Sequence, residues 1–251
     1  MADAVNYPVR VEGHIDAVSR WLWLVKWILA IPHWIILFFL RIAFAILTVI
    51  AFFAILITAR YPEPIFRFNV GVLRWRWRVN FYTYWALGTD RYPPFTLAAV
   101  EDYPARFEVD YPQRLSRGLV LIKWWLLVIP HLIVVGFFTG ITAWMTRQED
   151  MPGVWTDEHN TYVAVPGLLF VLVVFAAIVL LFTGGYPRGI FDFVLGMNRW
   201  VLRVIAYRSL MTDRYPPFRI DLGGRDPHPS APPPTAPSSG DDMPVAGGGT
   251  A

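Results

Sequence analysis

The chain has 251 residues, of which 55% are hydrophobic and only 16% are charged. A soluble domain of this length would carry about a quarter charged residues, so the composition argues against one. The absence of cysteine excludes disulfides, thiolate metal sites and a cysteine nucleophile. Residues 42–59 and 163–185 contain no charged or amide side chain, and a bilayer-spanning helix needs about 20 apolar residues. These features predict an all-α membrane protein with transmembrane helices.

We expect no signal peptide before the first apolar segment, because residues 1–20 are polar and lack a short apolar core. Residues 6–12 alternate apolar and polar side chains, which predicts a short strand. Tryptophans clustered at positions 21, 23 and 27 are typical of the headgroup level of a membrane. The apolar run that follows contains Pro32, which predicts a kink, and the single charge of Arg41.

Three phrases of the sequence occur twice. YPVRVE at 7–12 corresponds to YPARFE at 103–108, LVKWILAIPH at 24–33 to LIKWWLLVIPH at 121–131, and TDRYPPF recurs unchanged at 89–95 and 212–218. A seven-residue identity more than a hundred residues apart indicates an internal duplication. We therefore expect two tandem membrane repeats, at 1–100 and 101–222, followed by a disordered Pro-, Gly- and Ser-rich tail at 223–251.

The repeats differ in length. Pro32 and Tyr61 lie 29 positions apart, whereas Pro130 and Tyr186 lie 56 apart, and the additional residues include the polar segment 147–162. Polar backbone cannot be inserted into the middle of a lipid-facing helix, so the insertion predicts a turn at the membrane surface, near Leu40 and Arg41 in repeat one.

Each repeat is accordingly predicted to contain a transmembrane helical hairpin, with helices at about 19–40, 42–59, 117–145 and 164–183. The alternative is one long helix per repeat, since residues 32–59 would also span a bilayer with some tilt.

An arginine-rich segment follows the hairpin in each repeat, at 66–87 and 191–210. Arg199 and Arg203 are four residues apart with apolar residues between them, and Arg74 and Arg78 align with them. We predict amphipathic helices in the cytoplasmic interface, with these four arginines binding lipid phosphates. For repeat one a strand remains open, because RWRWRVNF at 74–81 also alternates.

Charge predicts the orientation of the helices. Nine arginines lie in 60–117 and seven follow Gly185, whereas the inserted loop carries one arginine and four acidic residues. By the positive-inside rule, both termini and the short strands are expected to be cytoplasmic, and the loop at about 146–163 external.

The order of the motifs YPxRxE, KWxLAIPH, a long apolar run, YPxxxFxFxxGxxRWxxRV and TDxYPPF resembles an actinobacterial membrane family known as domain of unknown function 4389. The resemblance covers 7–97 and 103–220. Arg67 departs from the acidic residue that Asp192 retains, and the inserted loop is longer than is usual in that family. The resemblance implies a multi-pass protein of the bacterial inner membrane and no established activity.

The ionisable residues inside the apolar segments are the candidate site. Lys26 and His33 are seven residues apart on one helix face, roughly 10 Å along the axis, and Lys123 and His131 are eight apart. Both lysines could extend to lipid phosphate, and both histidines could satisfy backbone freed by the preceding proline. Alternatively, all four could line one polar cavity between the repeats.

The aspartates of the two TDRYPPF phrases, Asp90 and Asp213, are interpreted as turn residues partnered by the neighbouring Arg91 and Arg214. The sequence predicts no catalytic residue, metal site or cofactor, because it lacks the usual nucleotide, zinc and hydrolase motifs.

Three functions remain open. The first is a non-enzymatic membrane organiser or accessory subunit bound to anionic phospholipid, with a membrane-protein partner or a second copy and no nucleic acid. The second is a small oligomeric transporter or channel that uses the intramembrane Lys and His residues. The third is a membrane enzyme.

Overall fold

The fold was obtained as a computed structural model that describes residues 7–146 and 160–226. In chain order its elements are β1 (Val9–Gly13), a short 3-10 helix (Leu22–Leu24), α1 (Lys26–Thr58), α2 (Glu63–Tyr82), β2 (Ala105–Val109), α3 (Arg117–Ile122), a π-helical segment (Lys123–Leu127), α4 (Ile129–Thr139), β3 (Gly140–Thr146), β4 (Asn160–Pro166), α5 (Leu168–Thr183) and α6 (Arg188–Arg208).

Helix α1 is one continuous helix of 33 residues, with Pro32 inside it. The predicted turn near Leu40 and Arg41 is therefore wrong for repeat one, and the alternative of a single long helix is confirmed there. No glycine or second proline interrupts residues 33–58, and the exposed Arg41 needs no break in the backbone. The helix ends where Ala59 adopts a left-handed conformation, φ 57°, just before the proline-containing segment that starts α2.

Repeat two contains a bent helix. The axis of α3 and the π-helical segment makes an angle of 43° with α4, which ends at Thr139 rather than at the predicted residue 145. Strands β3 and β4 then form an antiparallel hairpin in which Gly140 pairs with Pro166. The tip of this hairpin, and with it most of the predicted external loop, lies outside the described residues.

The hairpin accounts for the difference in length between the repeats. The chain leaves α4 at Thr139 and returns to the same place, since a Cβ on Gly167 would lie 2.3 Å from the carbonyl oxygen of Phe138. Residues 140–166 are thus an insertion between two helical halves that correspond to α1 before and after Arg41. Glycine at 167 permits this close approach of the two backbones.

Helices α2 and α6 are the arginine-rich segments. Their helical structure is confirmed and the strand alternative for repeat one is wrong. Their predicted position at the lipid interface is contradicted, because most residues of both helices are buried inside the protein. They form the core together with Val9, Val11 and Phe107 of the sheet.

The sheet of β1 and β2 joins the two repeats. The strands pair antiparallel from Val9 opposite Val109 to Gly13 opposite Ala105. Strand β2 packs against α2, whereas β1 packs against α6. The opening strand of each repeat therefore lies on the arginine-rich helix of the other repeat, which confirms the predicted strand and places it between the repeats.

Within the described part of the chain, α1 is long and apolar enough to cross a membrane, and the bent pair Arg117–Leu127 and Ile129–Thr139 would form a second span if it acts as one. Only 11% of the most apolar window of α1 is buried. The core helix of a soluble protein would be largely buried. The apolar surface of α1 is largely exposed, so α1 does not resemble such a core helix.

Candidate functional site

Both lysines are buried and bound to the TDRYPPF phrase of their own repeat. Lys26 Nζ donates to the carbonyl oxygen of Thr89 at 2.6 Å and forms an ion pair with Asp90 at 2.8 Å. Lys123 Nζ donates to the carbonyl oxygen of Thr212 at 3.1 Å and to Asp213 at 2.7 Å. Because neither ammonium group is exposed, the interpretation that the lysines extend to lipid headgroups is wrong.

The two aspartates also bind the backbone just before the first helix of each repeat. Asp90 accepts a hydrogen bond from the backbone N–H of Ser19 at 2.5 Å, and Asp213 accepts one from Ser116 at 2.6 Å. Each carboxylate thus links the backbone that precedes the first helix of its repeat to the buried lysine of the same repeat. The prediction that Arg91 is the partner of Asp90 is wrong, because Arg91 bonds Asp102 instead.

The histidines lie about two helical turns beyond the lysines, His33 in α1 and His131 in α4, and each is held by aromatic residues. The indole N–H of Trp75 donates to His33 Nδ1 at 3.1 Å, and Trp200 donates to His131 Nδ1 at the same distance. Since an indole nitrogen can only donate, Nδ1 must be the unprotonated nitrogen, and the proton of each neutral imidazole lies on Nε2.

A phenylalanine of TDRYPPF stacks on each imidazole. The ring centroids of His33 and Phe95 are 4.0 Å apart, and those of His131 and Phe218 are 4.2 Å apart. The phrase therefore contacts both candidate residues of its repeat, the lysine through its aspartate and the histidine through its phenylalanine. The four candidate residues form two clusters that share no residue, so they do not line one cavity.

The four predicted lipid-binding arginines bond protein groups. Arg74 donates to the carbonyl oxygens of Phe107 and Leu97, each at 3.1 Å, and Arg78 to that of Thr96. Burial, with the positive charge of Arg74, lowers the pKa of Arg78 to about 10.

In repeat two, Arg199 donates to the carbonyl oxygens of Val11 and Gly223, each at 3.0 Å. Arg203 bonds Asp221 and Asp226, each at 2.6 Å. Arg78, Arg199 and Arg203 are at most 2% exposed, so their predicted contact with lipid phosphate is contradicted. Backbone carbonyls and two aspartates take the place of the phosphates.

Asp226 lies beyond the predicted end of repeat two. Its carboxylate accepts a hydrogen bond from the backbone N–H of Val11 at 3.0 Å, and Gly13 N donates to the carbonyl oxygen of Gly224 at 2.9 Å. Residues 223–226, predicted to belong to the tail, are thus bound to β1. The remainder of the predicted tail, 227–251, falls outside the described residues.

Sequence reasoning missed the link between the lysines and TDRYPPF, although a signal for it existed. The only two lysines of the chain and the two identical phrases were retained together, one of each in either repeat, although Lys26 and Thr89 are 63 positions apart and Lys123 and Thr212 are 89 apart. Groups that are retained together in both copies are candidates for contact. Among the described residues no group of three His, Asp or Glu side chains could hold a metal ion.

A comparison with known families shows which family the chain belongs to. The family described as domain of unknown function (DUF4389) matches the chain twice, at residues 20–96 and 162–219, which together make up more than half of its length. The chain belongs to this family and contains two copies of its domain. No curated protein and no solved structure matches.

Proposed function

We propose that this chain is an integral membrane protein that acts without catalysis, as an organiser or accessory subunit of other membrane components. The observation that carries the proposal is the exposed apolar face of α1, α4 and α5. Its most exposed members, all at least 60% exposed, are Phe38, Phe39, Ile57, Ile133, Phe137 and Phe182. An apolar surface of this extent is stable in lipid and prone to aggregation in water.

The absence of catalysis is proposed because the reactive groups have structural partners. Lys26, Lys123, Asp90 and Asp213 are bound to one another in pairs, and each histidine is covered by a tryptophan and a phenylalanine. A general acid or base must reach the proton that it transfers, and a group enclosed in this way cannot.

The alternative of a transporter that uses Lys26, His33, Lys123 and His131 receives no support from this geometry. Such a mechanism needs the four groups around one path, whereas each lysine and histidine faces the closing phrase of its own repeat. A multi-pass arrangement in a bacterial inner membrane, with both termini in the cytoplasm, stays part of the proposal and rests on the arginine distribution.

Extraction and labelling test this proposal. After washing membranes at alkaline pH, we expect the full-length chain to stay in the pellet, because its apolar face would be buried in lipid. Release into the supernatant would refute the membrane location. Because the chain lacks cysteine, Asp157→Cys provides a single label, which we expect to react with an impermeant maleimide from outside intact cells. A cysteine appended to the C-terminus serves as the matched control and should react only after lysis.

A further inference from the structure

A cleft of about 630 Å³ lies where α1, α2 and α6 meet. Its volume falls within the range of about 300–1,000 Å³ that is typical of small-molecule sites. One wall is apolar and includes Phe44, Phe52 and Phe53 of α1. Three arginines lie at the same cleft: Arg41 of α1, Arg76 of α2 and Arg208 at the end of α6. The cleft therefore combines an apolar wall with three positive charges.

These three arginines have no partner among the residues that the structure describes. No carboxylate or carbonyl oxygen in residues 7–146 and 160–226 bonds their guanidinium groups, in contrast to the buried arginines of the core. Arg76 is half-buried, and its pKa is lowered by burial and by the nearby charge of Arg41. Guanidinium groups that are brought together without a counter-charge on an apolar surface are costly, and an anion would remove that cost.

The internal duplication distinguishes these arginines from the arginines of the core. Arg74 and Arg78 recur as Arg199 and Arg203, and all four of these bond protein groups. By the same alignment, Arg41, Arg76 and Arg208 correspond to Thr139, Val201 and Thr83. The structural arginines are therefore present in both repeats, whereas each arginine of the cleft occurs in only one.

An inorganic anion would explain the arginines and leave the aromatic wall unexplained. Side chains such as Phe53, which is 56% exposed, gain stability when an alkyl chain covers them, by about 25 cal/mol per Å² of apolar surface. A molecule with a phosphate at one end and an acyl chain at the other satisfies both parts of the cleft.

We propose that this cleft binds one anionic phospholipid, with its phosphate on Arg41, Arg76 and Arg208 and an acyl chain against Phe44, Phe52 and Phe53. The inference deepens the proposed function, on which it rests only for the availability of lipid. It places the lipid on three arginines, each of which is absent at the equivalent position of the other repeat. One lipid would bind per chain, at the junction of the two repeats.

Native mass spectrometry of the detergent-purified full chain tests the site. After addition of phosphatidylglycerol, we expect one lipid to be retained per chain, and much less of the zwitterionic phosphatidylcholine. The variant R41Q/R76Q/R208Q should lose retention by about tenfold or more, because three phosphate contacts are removed. The variant R60Q/R114Q/R188Q is the matched control, since it removes the same charge from exposed arginines outside the cleft, and should retain the lipid.

A second variant tests the acyl chain. Ala45 lines the cleft and is exposed, so Ala45→Trp fills the space without changing charge and should also displace the lipid. If the triple Arg variant does not fold, the single Arg208→Gln, at an exposed helix end, should still lower retention severalfold.

The contrary outcomes are distinct. Equal losses in both triple variants would overturn the site in favour of general surface charge. Full retention in Ala45→Trp, or competition by millimolar inorganic phosphate, would overturn the lipid and leave a simple anion site. Equal retention of phosphatidylcholine would overturn the role of charge. None of these results would release the chain from membranes in an alkaline wash, so the membrane proposal is tested separately.

Discussion

Val11 and Phe107 occupy equivalent positions in the two repeats and lie directly opposite each other at the centre of the β1–β2 ladder. On one side of this pair Val9 faces Val109, and on the other Gly13 faces Ala105. Exchanging the two repeats converts the first of these outer pairs into the second. The same exchange relates two further bonds, from Arg199 to the carbonyl oxygen of Val11 and from Arg74 to that of Phe107. The repeats are thus joined by a ladder with local two-fold symmetry, and each arginine holds the strand of the other repeat.

This relationship predicts a large effect for Arg199→Gln. Arg199 is completely buried and donates to carbonyl oxygens of Val11, Asp221 and Gly223, three acceptors that glutamine cannot all reach. Hydrogen bonds to charged groups contribute about 1.5–3 kcal/mol each, so we expect a loss of about 3 kcal/mol or more in unfolding free energy. Thermal unfolding in detergent measures it. Arg188→Gln, exposed on the same helix, is the control, and an equal shift for both variants would contradict the assigned role.

The buried lysines should not tolerate arginine. Lys123→Arg has to place a larger, planar group where Nζ now fits between the Thr212 carbonyl and Asp213, so we expect it to destabilise the protein nearly as much as Lys123→Met. The loss for Lys123→Met should be about 1–3 kcal/mol, below the range for a fully buried pair because Asp213 is one quarter exposed.

A double-mutant cycle checks the ion pair itself. Adding Asp213→Asn to Lys123→Met should cost less than the sum of the two single changes, because either change alone already removes the ion pair. Additive losses would show that the two side chains act independently.

The histidines should behave as acceptors. His33→Phe preserves the stack on Phe95 but leaves the indole N–H of Trp75 buried without a partner, at an expected cost of about 1–3 kcal/mol. The double variant His33→Phe/Trp75→Phe removes both polar groups and should recover part of the loss in chemical denaturation. If Trp75→Phe gives no recovery, the hydrogen bond is not the reason for the histidine.

Stability should fall at alkaline pH through Tyr61. Burial raises the pKa of its phenol from the ordinary value of 10.0 to about 12. The folded state therefore favours the protonated phenol, so this contribution is fully present below pH 10 and is lost as the pH rises towards 12. Each pKa unit corresponds to about 1.4 kcal/mol, which sets an upper limit of roughly 3 kcal/mol on the loss.

Tyr61→Phe is the variant that tests this pH dependence. It should flatten the decline of the melting temperature between pH 10 and 12, although other buried tyrosines contribute to it. A wild-type slope in Tyr61→Phe would contradict the assignment.

The sequence was sufficient for the duplication, the arginine-rich helices, the opening strand and the end of α5 at Thr183, because these depend on local patterns. It could not distinguish a turn at Arg41 from a continuous helix, since an insertion in repeat two is compatible with either. The structure resolves this with a β-hairpin that enters and leaves through Gly140 and Gly167, a route that no hydropathy pattern encodes.

The partners of the charged residues could not be predicted from the sequence, for a different reason. A helical pattern shows that Arg199 and Arg203 share a face, but it does not show whether that face meets lipid phosphate or backbone carbonyls. Carbonyl oxygens are present at every residue, so they leave no signal. Lys26 and Thr89 are 63 positions apart, and only tertiary folding brings them together.

The symmetric ladder has a consequence for the origin of the chain. Because Val11 meets its own counterpart, one repeat alone already carries a self-complementary edge, and two identical copies could pair through it as an isologous dimer. Fusing two such copies into one gene would keep the interface and allow the two halves to diverge in sequence. A hairpin could then be gained on one half alone, and Arg41 could be kept on the other.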